Sequence, residues 1–161
     1  MGSSMYIADE MGLPNGISNE DHEALLNILA TAELIKKESG RLFEPLGITA
    51  AQFNVLILLL AQSEDGEMNQ CELSRMLMVN RANVTGLVDR LEAQELVRRI
   101  ADNGDRRANR VRLTDAGRAV AVEAQDLYLS RIHTIMNVLS RDQWRELSIN
   151  LSRIRAQVAS T

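Results

Sequence analysis

The chain has 161 residues, a formal charge of −4, 45% apolar and 25% charged side chains, and one cysteine. This length suits one domain with elaborations, and the composition is too apolar for a disordered chain. Only 3% of residues are aromatic, so a core must come from Leu, Ile, Val, Met and Ala, which favours helix. A lone thiol, Cys71, makes no internal disulfide and no segment reads as a secretion signal, so a cytoplasmic setting is expected. The longest apolar run, residues 55–61, is far shorter than the roughly 18 residues of a membrane span, so no membrane partner is expected.

The charge is unevenly spread. Residues 1–74 carry 12 acids against 3 basic side chains, whereas residues 75–112 carry 9 Arg against 5 acids. The last segment, 113–161, is nearly balanced, with 6 Arg and 5 acids. The middle is a basic island made only of Arg, whose planar fork pairs bidentately with phosphate or guanine. The alternative is that these guanidiniums serve solvated faces and intrachain ion pairs.

In chain order, residues 1–17 contain Gly2, Gly12, Pro14 and Gly16 without a period and read as a flexible tail. Ser18 opens a helix over about 18–38, with Leu25, Ile28, Leu29, Ala32 and Ile35 on one stripe. Gly40 and Pro45-Leu46-Gly47 break the chain. Thr49-x-x-Gln52 is a capping-box pattern ahead of a helix over about 50–62, and residues 63–67 read as a polar loop. Asn69-x-x-Glu72 caps a short third helix with Leu73, Met76 and Leu77 on its buried side. Asn80 is the N-cap of a fourth, over 81–94, where Val84, Leu87, Val88 and Leu91 fall at i, i+3, i+4 and i+7. Two helices joined by three or four residues make a helix-turn-helix.

The period then switches to two. Residues 96–100 are β-compatible, and Val111 and Leu113 alternate with Arg110 and Arg112. Between them Asn103-Gly104 signals a turn, with Arg106 and Arg107 close by. Thr114 caps a long helix over 114–139, with Val120, Ala124, Leu127, Tyr128, Ile132, Ile135, Met136 and Leu139 along one stripe. Ser140-x-x-Gln143 caps a last one with Trp144, Leu147, Leu151, Ile154 and Val158. The fold class is mainly α with a small β-hairpin wing. Its parts are a tail (1–17), an N-terminal dimerisation helix and linker (18–47), a winged helix-turn-helix (48–113) and C-terminal dimerisation helices (114–161). The outlying amphipathic helices need an apolar surface to cover, which predicts a symmetric homodimer.

Five pieces stand in a telling order. They are Ile48-Thr49-x-x-Gln52-Phe53-x-Val55-Leu56, the run from Val79 to Glu92, Leu96-Val97-x-Arg99, Asp105-Arg106-Arg107-Ala108, and Val111-x-Leu113-Thr114-x-x-Gly117. Together they resemble the multiple-antibiotic-resistance regulator (MarR) family of bacterial winged-helix transcription regulators. The resemblance implies a homodimer that binds double-stranded DNA at a pseudo-palindromic operator, usually as a repressor. It also implies release of DNA by a small aromatic or lipophilic effector or, in some members, by thiol oxidation.

Helix 81–94 buries the side centred on Leu87 and Val88. Its outer side carries Ala82, Thr85, Gly86 and Asp89, flanked by Arg81, Asn83 and Arg90. In helix-turn-helix docking, the start of this helix enters the major groove. Asn80, Arg81, Asn83, Thr85 and Arg90 are therefore the candidate DNA contacts on the helix, since Asn suits adenine and Arg suits guanine or phosphate. An ordinary exposed helix face is the competing reading of Asn83 and Thr85. On the wing, the candidates are Asp105, Arg106, Arg107 and Arg110. By the resemblance, Asp105 holds a wing Arg for the minor groove, and either Arg106 or Arg107 is the one inserted. Arg98, Arg99, Arg110 and Arg112 line the wing strands as phosphate contacts or as intrachain partners.

Phe43, Phe53, Tyr128, His133 and Met136 are candidate effector-pocket residues, with core packing as the competing reading. Cys71 lies near a helix start, which favours thiolate, but the family's thiol sensors carry their cysteine near the N-terminal dimer helix. His22 and His133 are isolated, so no metal or other cofactor is expected. No paired carboxylates, phosphate loop or nucleophile motif points to an enzyme. The alternatives are an activator of the same fold and a winged helix that binds an acidic protein.

Overall fold

The computed structural model describes residues 7, 12, 19–62, 66–101 and 109–160. They fall into two compact units, Met1–Phe53 and Asn54–Thr161.

In the first unit, helix α1 spans Glu20–Leu42. Three acids in its first turn and Arg41 in its last complement the helix dipole. Asn19 takes the N-cap position, and the expected opener Ser18 lies outside the described residues. Gly40 does not break the helix as expected. Glycine weakens a helix without forbidding it, and the stop comes at Leu42, just ahead of a 3₁₀ turn over Glu44–Leu46 that contains Pro45. Gly47 closes that turn in the left-handed region, φ 67°, and its N–H donates to the Glu44 carbonyl at 3.0 Å. The Thr49/Gln52 capping box forms: the Gln52 N–H donates to Thr49 Oγ1 at 3.2 Å, and the Thr49 N–H donates to Gln52 Oε1 at 2.9 Å.

Helix α2, Ala50–Gln62, runs from the first unit into the second, where Val55, Leu56 and Leu59 are buried. The expected polar loop ends early, because Glu67–Asn69 is a strand, β1. Asn69 then caps α3, Gln70–Leu77, with the reciprocal Asn69/Glu72 box, and Asn80 caps α4, Arg81–Ala93. The periodicity was a sound guide to α4, for Val84, Leu87, Val88 and Leu91 are all buried. Strands β2, Val97–Ala101, and β3, Asn109–Leu113, follow.

The sheet is antiparallel in the order β1-β3-β2, so the expected two-stranded hairpin has a third member. Glu67 stands opposite Arg112 and Arg112 opposite Arg98, giving one outward row, while Met68, Val111, Leu113 and Val97 are buried. Thr114 joins β3 to α5, Asp115–Met136. Its hydroxyl accepts from the Gly117 N–H at 2.9 Å, and its own N–H donates to the Leu96 carbonyl at 3.1 Å. The Ser140/Gln143 box starts α6, Arg141–Ala159, whose Trp144 Nε1–H donates to the Met136 carbonyl at 2.8 Å.

The turn between α3 and α4 contains a strained residue. Met78 has φ 54° and is 92% exposed. The left-handed region costs a residue with a Cβ roughly 1–2 kcal/mol, and no packing of Met78 offsets this. Met78→Gly is expected to stabilise the chain by about 0.5–1 kcal/mol, since glycine's greater unfolded-state freedom cancels part of the relief. Denaturant titration checks this: the midpoint should rise at unchanged slope.

Candidate nucleic-acid interface

The site is built on α4. With Val84, Leu87, Val88 and Leu91 turned inward, Arg81, Ala82, Asn83, Thr85, Asp89 and Arg90 are all exposed. Asn80 has extended backbone, and its side-chain oxygen accepts the Asn83 N–H at 2.9 Å. Asn80 thus places the helix start, and the Asn83 side chain is left to face outward. No acid stands in the first turn, whereas α1, α3, α5 and α6 all have one or more there. The positive end of α4 is therefore uncompensated and favours an anion, with Arg81 beside it.

The two flanks of α4 differ. Asn83 and Arg90 are seven residues apart on one flank, separated by about 10 Å along the axis. Thr85 is on the other, where its hydroxyl donates to the Arg81 carbonyl at 3.0 Å and lies 3.4 Å from Gln70 Oε1 of α3. Between the flanks Gly86 has open space, as nothing stands within 4 Å of where a Cβ would be. A surface can approach the backbone closely there.

The basic island separates into two populations. Arg75, Arg81, Arg90 and Arg98 are exposed, and among the described residues they form no ion pair. Arg99, Arg110 and Arg112 are intrachain partners. Arg110, expected on the wing as a DNA contact or an intrachain partner, reaches Glu67 at 2.8 Å, and Arg112 Nε donates to the same carboxylate at 2.7 Å. The reason is β1: it brings Glu67, with only 16% of its side chain exposed, against two cations on β3. Arg99 pairs with both Asp89 and Glu92 of α4. Its guanidinium is held above the ordinary arginine pKa, first by the hydrogen bond to Asp89, so it stays charged. Asp105, Arg106 and Arg107 lie outside the described residues.

The five effector-pocket candidates are placed unit by unit. Phe43 and Phe53 are almost wholly buried and stack on each other, ring centroids 4.4 Å apart, so both serve as core. In the second unit Tyr128 and His133 are exposed and Met136 is half-buried. Cys71, at the start of α3, is exposed. Among the described residues no group of three or more His, Cys, Asp or Glu side chains is placed to hold a metal ion. Nor is any single helix among them long and apolar enough to cross a membrane.

The sequence model of the MarR family matches residues 48–108. The chain is 30% identical over 111 residues to the multiple antibiotic resistance protein MarR of Escherichia coli, covering 68% of this chain and 75% of that protein. It is 37% identical over 89 residues to the transcriptional activatory protein BadR of Rhodopseudomonas palustris, covering 55% of this chain and 51% of BadR. Against the transcriptional repressor NicR of Pseudomonas putida it is 40% identical over 73 residues, covering 45% of this chain and 44% of NicR. The aligned parts thus span about half of BadR and less than half of NicR.

Among solved structures, the MarR family regulator AbsC of Streptomyces coelicolor superposes with a TM-score of 0.81 at 20% identity, over 90% of this chain and 98% of AbsC. MepR of S. aureus, solved as a DNA complex, gives 0.75 at 22% over 85% and 97%. The organohalide-sensing regulator RdhR, solved with 2,4-dichlorophenol bound, gives 0.73 at 21% over 90% and 88%. These likenesses carry the fold, and the identity to the E. coli protein carries the family. The chain belongs to the MarR family of transcription regulators, which have a DNA-binding winged helix.

Proposed function

We propose that the chain is a homodimeric repressor that reads a pseudo-palindromic operator and leaves it when a small aromatic or lipophilic effector binds. The observation that carries the reading is α4 itself: an acid-free, Asn80-capped start that leaves Arg81, Asn83 and Arg90 exposed beside open Gly86. Asn83 suits an adenine edge, and Arg90, about 10 Å further along the same flank, suits a phosphate. Arg75 and Arg98 then serve the phosphates on either side, since the first helix of the motif crosses the backbone. Arg106 and Arg107 supply the wing tip, with Asp105 as their partner.

Dimerisation is supported by what one chain leaves uncovered. No residue of α1 or α6 is buried, although α1 carries Leu25, Leu29, Leu34 and Ile35 and α6 carries Leu147, Ile154 and Val158. Helices of 23 and 19 residues with apolar stripes owe their stability to a covering surface. A second copy supplies it, and two-fold symmetry in the protein matches a two-fold operator. Effector release is supported by RdhR, which holds a chlorinated phenol in the same fold. Activation is the second reading, because BadR is an activator.

The test is a titration of the chain on a labelled duplex taken from DNA upstream of its own coding region. Wild type should bind as a particle of twice the chain mass by light scattering. Asn83→Ala should lose about 5- to 100-fold in operator affinity while keeping its affinity for unrelated DNA. Equal losses on both duplexes, or none, would remove Asn83 from base reading. Displacement by 2,4-dichlorophenol tests the effector step, and transcription in vitro separates repression from activation.

A further inference from the structure

Carboxylates on a DNA-reading helix are a problem, because phosphate repels them. Helix α4 carries two, Asp89 and Glu92, three residues apart on the flank away from Asn83 and Arg90. Neither is left unbalanced. One guanidinium, that of Arg99 on β2, spans them: Nη2 donates to Asp89 Oδ1 and Nη1 to Glu92 Oε2. The backbone N–H of Arg99 also donates to Glu92 Oε1 at 2.9 Å, so Glu92 grips the strand and its side chain together. These bonds run between elements that already pack, α4 and β2, and β2 is the strand that leads into the wing loop.

Resting on the operator reading above, we propose that Arg99 is a positioning residue for DNA recognition rather than a phosphate contact. It cancels the two acids of α4 and pins the base of the wing to the last two turns of that helix. Asn83, Arg90 and the wing then meet one duplex in a fixed register. The planar fork is required, since a single ammonium cannot hold two carboxylates in the same geometry. The neighbouring strand arginines have a different task, because Arg110 and Arg112 are tied to Glu67 on the other side of the sheet.

The experiment uses the full chain and the same labelled upstream duplex, with affinity measured across a salt series. Binding by wild type establishes the operator reading independently, and its absence would sink that reading before the clamp is tested. Arg99→Gln is expected to weaken operator binding roughly tenfold or more, because two uncompensated carboxylates then face phosphate. The slope of log affinity against log salt should stay within about half a unit of wild type, since no phosphate contact is lost. Adding Asp89→Asn and Glu92→Gln to Arg99→Gln should recover most of the lost affinity. If Arg99→Gln fails to fold, Arg99→Lys serves, with a smaller loss at unchanged slope. Three results would overturn the proposal: unchanged affinity, no recovery in the triple variant, or a slope flattened by about 1.8 for a dimer, the mark of a direct phosphate contact.

Discussion

Raising salt from 50 to 200 mM is expected to weaken the complex with DNA by about 10⁴-fold. The magnitude follows from the pairing of the arginines. Each chain offers Arg75, Arg81, Arg90 and Arg98 as exposed cations without an ion pair among the described residues. A dimer doubles them, and each neutralised phosphate contributes about −0.9 to the slope of log affinity against log salt, giving a slope near −7. Contacts from Arg106 and Arg107 would steepen it further. Single substitutions sort the contributions. Replacing any of Arg75, Arg81, Arg90 or Arg98 with alanine should flatten the slope by about 1.8 per dimer. Arg112→Gln should leave the slope unchanged, because that guanidinium is spent on Glu67. A flattened slope in Arg112→Gln, or none in all four alanine variants, would show that ion pairing within the chain does not decide which arginines meet DNA.

The same partition gives the acidic balance a meaning. Net charge speaks of solubility and long-range steering, not of where a polyanion binds. What bears on that is the local count: 12 of the 22 acids stand in the first 74 residues, and nine of the 18 basic side chains in residues 75–112, the segment that holds α4.

What was legible in the residues is what depends on neighbours in sequence. A capping box needs two side chains three positions apart, and the pairs Thr49/Gln52, Asn69/Glu72 and Ser140/Gln143 all formed. The inward side of α4 was legible for the same reason, because four apolar residues in a polar helix leave one solution. In α2 almost every side chain is apolar. Periodicity alone cannot choose its inward side, and Ile57 and Leu60 are half-buried while Val55 and Leu59 are fully buried. Strand β1 was not legible at all. Three residues carry no period, and Glu67–Asn69 is a strand only because β3 pairs with it from more than 40 residues away. That pairing turned Arg110 and Arg112 from exposed cations into partners of one acid. The arginines could be counted in sequence, but their assignment needed contacts that local spacing does not encode.

Gly117→Ala is expected to cost about 3 kcal/mol or more, at the upper end of what overpacking does, and to lower the melting temperature by roughly 6–12 °C. Gly117 is in the first turn of α5, and a Cβ built there would lie 1.8 Å from the Leu96 carbonyl oxygen and 2.7 Å from its carbon. These are backbone atoms, so no side chain can swing aside. The same carbonyl accepts from the Thr114 N–H at 3.1 Å and lies 3.2 Å from the Thr114 hydroxyl, which also donates to the Glu95 carbonyl at 2.7 Å. Moving it would loosen the joint where the end of α4, the start of β2 and the start of α5 are bonded together, next to Glu95 in the left-handed region at φ 58°. Gly86→Ala is the control for helix propensity. With open space at its Cβ, it should gain up to about 1 kcal/mol in stability, yet lose operator affinity if the duplex approaches the backbone of α4 there. Thermal unfolding and operator titration of the two variants separate the roles. If Gly117→Ala melted within about 2 °C of wild type, the joint would be able to yield, and the wing would not be rigidly carried by α5.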